Sequence, residues 1–202
     1  MLNPITQDTR QRVGIIRTQC LDHQFAHRRH QRRTQEQDGN VAKPPSRAEL
    51  QHQKHPLIGI CFGHQMIAKA LGGKTELARQ GWGVGVQNYN KIVSKSWFNP
   101  VLNDFSIVAS HQDQVSELPE GAELLAGSAF CPYASFCIDD HILTFQGHPE
   151  FTKSYSKALL ILRRKILGED VFKKGLKSLE EPIQSKIISS WMVNFFNNAV
   201  SS

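Results

Sequence analysis

The sequence predicts an α/β layered architecture, and three observations carry that prediction. A short run of the buried-strand type, Leu57-Ile58-Gly59-Ile60, leads through Cys61-Phe62-Gly63 into residues at helical spacing. Further apolar runs bounded by turn residues recur downstream, and two stretches of helical periodicity follow toward the end. Strand, helix and strand in that order argue for helices layered on a sheet.

The elements follow in order. From His64 to Leu71, Met66, Ile67, Ala70 and Leu71 fall at helical spacing, and Gly72-Gly73 supplies a stop. Ser106–Ala109, Glu123–Ala126 and Ile142–Phe145 read as strands. Phe136-Cys137-Ile138 and Ile142–Phe145 flank Asp139-Asp140-His141, which reads as a hairpin. Ser156–Leu167 and Ile183–Phe196 read as helices. The second is opened by Pro182 as a first-turn residue and is expected to pack on the sheet through Trp191, Phe195 and Phe196. No internal repeat is visible.

Charge and composition set the boundaries. The 202 residues suit one ordinary domain, and the net charge of +6 is unevenly spread. Residues 1–55 hold 10 Lys+Arg against 5 Asp+Glu, whereas residues 56–202 hold 14 against 13. From Asp22 to His55 the only large apolar residues are Phe25, Val41 and Leu50. Such a stretch cannot offset an ordering cost of roughly 1–2 kcal/mol per residue. Residues 1–55 are therefore expected to be a largely disordered basic segment, with a short helix around Arg47–Gln53 and a thinly supported strand at Val13–Ile16. Residues 56–202 are expected to be the domain that carries the chemistry.

Several function classes are set aside by the same reading. No apolar run is long enough for a transmembrane helix, and the apolar start at Met1 stops too soon for a secretory leader. Four cysteines do not make a disulfide scaffold in a chain this long, so reduced thiols in the cytoplasm are expected, with the nucleus as the alternative. The basic run His27–Arg33 lacks interleaved aromatics, and solvated charge is preferred over a nucleic-acid patch. Cys131, Cys137 and His141 lack a zinc spacing, and neither a metal nor a cofactor is expected.

The sharpest motif is Gly59-Ile60-Cys61-Phe62-Gly63, a G-x-C-x-G where a buried strand meets a helix. It is the cysteine form of a nucleophile elbow. A tight strand-to-helix turn strains the nucleophile's backbone, and side chains on the flanking glycines would collide with strand or helix. The helix N-terminus favours a thiolate, and the Phe62 N–H can face a developing oxyanion. The competing reading is a buried structural cysteine beside packing glycines. Gln146-Gly147-His148-Pro149-Glu150 follows a strand directly, at the sheet edge where open α/β sheets bind ligands. His148 can serve Cys61 as base and Glu150 can orient the imidazole. Ser110-His111-Gln112-Asp113 follows another strand toward the same edge. There Asp113 could pair with a ligand ammonium, or the segment could be a plain turn or cap.

Together, Gly59–Gln65, Ala70–Gly73, Gly81-Trp82, Ser110–Asp113 and Gln146–Glu150 resemble the class I, triad-type glutamine amidotransferases. The likeness is nearest to stand-alone proteins similar to the amidotransferase domain of GMP synthase, and it runs from about Pro56 onward. The resemblance implies a flavodoxin-like open sheet with flanking helices, and a small-molecule substrate. Cys61 would attack the side-chain amide of glutamine to form a γ-glutamyl thioester, with His148 moving protons and Glu150 orienting it. Gln65 would bind substrate, together with Phe62, Ser110, His111 and Asp113. The family's preceding strands and glycine-bearing loop are not recognisable in residues 1–55. Three functions are carried forward. They are a glutamine hydrolase, with a separate ammonia-accepting partner or without one; a γ-glutamyl peptidase with the same triad; and a catalytically impaired binding protein.

Overall fold

The computed structural model describes residues 55–201. The expectations for the basic segment, including the helix around Arg47–Gln53 and the strand at Val13–Ile16, lie outside the described residues. The chain forms β1 (Leu57–Ile60), α1 (Phe62–Ala70), β2 (Lys74–Leu77), β3 (Gly83–Lys91), β4 (Asp104–His111), β5 (Asp113–Glu117) and β6 (Ala122–Gly127). It continues through β7 (Ser135–Ile138), β8 (Ile142–Phe145), α2 (Lys153–Leu167), α3 (Glu169–Ser178) and α4 (Ser185–Ser201). The main sheet has the order β1-β8-β7-β6-β3-β4, while β2 and β5 form a separate antiparallel ribbon. β1 and β8 are its parallel pair, in register from Leu57↔Ile142 to Ile60↔Phe145.

The sheet curls. β3 meets β6 only through Asn90 and Lys91, and then runs beside β4 for eight paired positions. At the far end β4 returns toward β8: Val108 bridges His148, whose N–H donates to the Val108 carbonyl at 2.7 Å. The last strand in the order therefore arrives beside the segment that leaves β8.

Helices cover both faces, and β8 shows how. All four of its residues are buried, as a continuous apolar run in a doubly covered strand should be. Leu143 and Phe145 join Ile188, Trp191 and Phe195 of α4 in one core, while Ile142 faces α1 with Ile67, Ala68 and Phe136. A third cluster of Val84, Leu160, Leu167 and Phe172 fastens α2 and α3. Burying each such side chain contributes roughly 1.5–3 kcal/mol.

The structure differs from the expected elements at identifiable places. Helix α4 begins at Ser185 rather than at Pro182, because Gln184 is tied to β4 by its N–H to the Ser106 carbonyl (2.8 Å) and by its Oε1 from the Ser106 N–H (2.6 Å). Helix α2 starts earlier, at Lys153, capped by the Thr152 hydroxyl, which accepts from the Tyr155 N–H. Helix α3 crosses β3 closely. A Cβ at Gly85 would lie 2.5 Å from the Gly175 carbonyl oxygen, and the backbone there has φ +72°, so glycine is required on both counts.

Candidate active site

Cys61 sits at the junction of β1 and α1. Its N–H extends the parallel ladder to the Phe145 carbonyl (2.8 Å), and its own carbonyl accepts the Gln65 N–H that starts the helix (3.1 Å). Those bonds hold it at φ 51° and ψ −101°, a conformation that costs a non-glycine residue roughly 1–3 kcal/mol. The turn closes because Gly59 has no side chain: a Cβ there would lie 2.9 Å from the Gly63 carbonyl carbon and oxygen. The thiol is buried at the N-terminal end of α1.

His148 is buried, and Glu150 is about one-third exposed. The imidazole Nδ1 and Glu150 Oε1 are 2.9 Å apart. A carboxylate accepts only, so Nδ1 is the protonated nitrogen and Nε2 carries the lone pair. The ring is held flat against Phe151, with centroids 3.9 Å apart and planes at 9°, and Phe151 abuts Tyr155 of α2. Because β1 and β8 are parallel and in register, Gln146 follows Phe145 beside Cys61, and His148 comes two residues later.

Gln65 connects this edge to the strand ends on the other side. Its Nε2 donates to the Asp113 carbonyl (2.6 Å) and to Gln146 Oε1 (3.1 Å). Gln146 is wholly buried and turns its own Nε2 to within 3.7 Å of Cys61 Sγ. The structure therefore gathers Cys61, Gln65, the Asp113 main chain and the residues after β8 into one hydrogen-bonded group. Phe62 opens α1 next to the thiol.

The Ser110–Asp113 segment is the junction of two strands rather than a stretch that follows one. Ser110 and His111 are the last residues of β4, and Asp113 opens β5, because β3 keeps pairing β4 as far as Gly83↔His111. The Ser110 hydroxyl accepts from Arg163 Nη1 (2.8 Å), whose guanidinium also lies over Trp82. His111 is buried with its Nδ1 3.2 Å from the Asp113 carbonyl. Burial pushes its pKa down to about 4, opposed by the Asp113 hydrogen bond and reinforced by His148. A Cβ at Gly83 would meet His111 Nε2 and Phe130 Cε1, each at 2.8 Å, so glycine makes room for that packing.

Two further residues lie within the quoted motifs but take their roles from the structure. His64 is fully buried in α1 and meets Thr144 of β8, with Nδ1 2.9 Å from Oγ1. Burial, then the nearby His111, lowers its pKa to about 3. The Thr144 hydroxyl gives its proton to the Phe136 carbonyl, so His64 Nδ1 is the donor in this pair. Gln146 is visible in the Gln146–Glu150 motif, but nothing in the sequence says that its amide reaches the thiol. Cys131 and Cys137 lie elsewhere, their thiols pushed up by burial to about 12 and 11. Among the described residues no group of three or more His, Cys, Asp or Glu could hold a metal ion. None of the described helices is long and apolar enough to cross a membrane.

Comparison with known proteins agrees with this architecture. Gamma-glutamyl peptidase 3 of Arabidopsis thaliana is 33% identical over 148 residues, 69% of this chain and 59% of that protein. A glutamine-hydrolyzing GMP synthase subunit of Methanococcus vannielii is 34% identical over 111 residues, 54% of this chain and 58% of that protein. The chain thus spans less than two-thirds of the length of these relatives. A glutamine amidotransferase structure from Thermotoga maritima superposes with a TM-score of 0.61 at 21% identity, covering 77% of this chain and 67% of that one. At that identity the likeness speaks for the fold, an open α/β sheet with flanking helices. The family model for "Glutamine amidotransferase class-I" matches residues 35–166, beginning upstream of Pro56, and on that match the chain belongs to the class-I glutamine amidotransferase family.

Proposed function

We propose that the chain hydrolyses the side-chain amide of glutamine through a Cys61–His148–Glu150 triad. One observation carries the reading. The His148–Glu150 pair, at 2.9 Å, lies just beyond Gln146, the residue after β8 whose amide reaches the Cys61 sulfur at 3.7 Å. Nucleophile, base and orienting carboxylate thus lie at the ends of two adjacent parallel strands, as acyl transfer requires.

The Cys61 thiolate attacks the γ-carbonyl carbon, a C–S bond forms, and the oxyanion that develops faces the Phe62 N–H. The C–N bond then breaks as protonated His148 gives its proton to the departing nitrogen, releasing ammonia and leaving a γ-glutamyl thioester. Neutral His148 next takes a proton from water, the resulting hydroxide adds to the thioester carbon, and C–S cleavage returns thiolate and glutamate. Glu150 holds the imidazole and stabilises its cationic form, and proton transfer of this kind contributes typically 10²–10⁴-fold. Recognition of the amino-acid end is assigned to Gln65, Asp113 and the Ser110-His111 segment. Ammonia would pass to a separate acceptor protein or escape to solvent. A thiolate nucleophile suits a reducing compartment such as the cytoplasm.

A second reading keeps the same residues and makes the leaving group the amine of a γ-glutamyl peptide. The similarity to Gamma-glutamyl peptidase 3 favours it. Ammonia release from glutamine, compared with amine release from a γ-glutamyl dipeptide, separates the two. A diazo-ketone analogue of glutamine should label Cys61 stoichiometrically, with protection by glutamine and no label in Cys61→Ser. His148→Ala should abolish turnover and Glu150→Gln should leave a residue of it. Near wild-type rates in both variants would sink the triad, and failure to label or turn over substrate in a folded sample would leave the impaired binding protein as the surviving reading.

A further inference from the structure

Gln146 is wholly buried, belongs to neither the His148–Glu150 pair nor the elbow, and yet touches the nucleophile. Its orientation is fixed by its neighbours. Gln65 Nε2 carries two N–H groups and spends one on the Asp113 carbonyl and one on Gln146 Oε1. The side-chain atom of Gln146 facing Gln65 must therefore be oxygen, and the atom facing Cys61 Sγ must be the NH2 group. Sulfur is a poor acceptor as a thiol and a good one as a thiolate, so an amide N–H aimed at it selects the charged form.

From this geometry we propose that Gln146 is a further catalytic residue, which holds the Cys61 thiolate by an N–H···S hydrogen bond and ties it through Gln65 to the Asp113 backbone. The inference rests on the reading of Cys61 as the nucleophile. The bond is made to the thiolate before attack. It is lost while sulfur is esterified, and it forms again when the thioester breaks and the electron pair returns to sulfur. Gln146 thus acts at both ends of the cycle without gaining or losing a proton. It also makes the position of the thiol depend on Gln65, a residue assigned to substrate recognition.

The test is the pH dependence of Cys61 alkylation by iodoacetamide, read on the Cys61-containing peptide by mass spectrometry, in the wild type, Gln146→Met and Gln146→Glu. Methionine removes the donor. Glutamate keeps the oxygen that accepts from Gln65, so that pair is retained even where the methionine variant fails to fold. Both variants should move the midpoint of the alkylation profile upward by about one pH unit or more. A thiolate of higher pKa is also more nucleophilic, with a Brønsted slope near 0.4–0.5. A one-unit rise should therefore slow alkylation roughly threefold below the midpoint and raise the plateau roughly threefold above it, so that the two profiles cross. A purely structural role would lower the rate at every pH and give no crossing. An unchanged midpoint in a folded variant overturns the assignment. If instead the wild-type thiol is unreactive near neutral pH and unprotected by glutamine, the proposed function itself fails, and that result is seen before any variant is made.

Discussion

Acid should weaken this fold through one histidine more than through any exposed group. His64 carries the ordinary value of 6.5 when unfolded and falls to about 3 when buried beneath the elbow. Between those values the unfolded chain binds one proton that the folded chain refuses. Stability therefore rises with pH through the window and is lost as the pH falls below about 6.5, at up to about 1.4 kcal/mol per pH unit. At pH 4.5 the site alone removes about 2.5 kcal/mol relative to neutral pH. His111, lowered to about 4, removes a further 2.5 kcal/mol or so. Against a total stability of roughly 5–15 kcal/mol, the two together can bring the fold close to its threshold.

His64→Gln isolates the effect, since glutamine keeps an N–H for the Thr144 hydroxyl and does not titrate. Urea unfolding of wild type and variant at pH 7 and pH 4.5 gives four stabilities. The difference between the two pH values should be smaller by about 2.5 kcal/mol in the variant. Carboxylates contribute to both proteins alike and cancel. Because the charge on His111 is part of what lowers His64, a double variant with His111→Gln should recover less than the sum of the two single effects. An identical pH dependence in wild type and His64→Gln would refute the buried, neutral histidine.

Two predictions concern the elbow. Cys61→Gly should be more stable than Cys61→Ala by about 1 kcal/mol, which reverses the usual order because φ 51° is strained for alanine and free for glycine; thermal or urea denaturation checks it. Gly59→Ala should destabilise by more than about 2 kcal/mol, since its Cβ would lie 2.9 Å from backbone atoms of Gly63 that cannot rotate away. The same variant should lose Cys61 labelling even where it remains folded, because the clash separates β1 from α1.

The elements legible in the sequence are those whose own residues decide them. β1, β8 and α1 were readable because apolar runs met glycines at positions where only glycine fits, as at Gly59. β3 was not, since Gly83, Gly85, Asn88 and Asn90 oppose strand formation and only the pairing with β4 overrides them. Helix α3 was missed for a similar reason: Lys-rich and interrupted by Gly175, it is secured by its crossing of β3 rather than by its own pattern. Motif chemistry singles out Cys61, His148 and Glu150 as candidates for the proposed site. The Gln65–Gln146–Cys61 connection is not legible there, because it joins side chains more than 80 residues apart.

Ser110 and His111 show what a short motif leaves undecided. Read as four residues that follow a strand ending at Ala109, the segment can turn all of its side chains toward a substrate. Read as the end of β4, it cannot, because neighbouring residues of a strand point to opposite faces. Ser110 pairs Val84 and sends its hydroxyl toward Arg163 of α2, while His111 pairs Gly83 and packs against Phe130. The two side chains are thereby committed to opposite layers, and each already has a partner. At the sheet edge the carbonyl of Asp113 holds both Gln65 and the His111 ring. The strand assignment therefore fixes the Ser110 and His111 side chains by packing, so that the proposed recognition by the Ser110–Asp113 segment starts from a preset backbone.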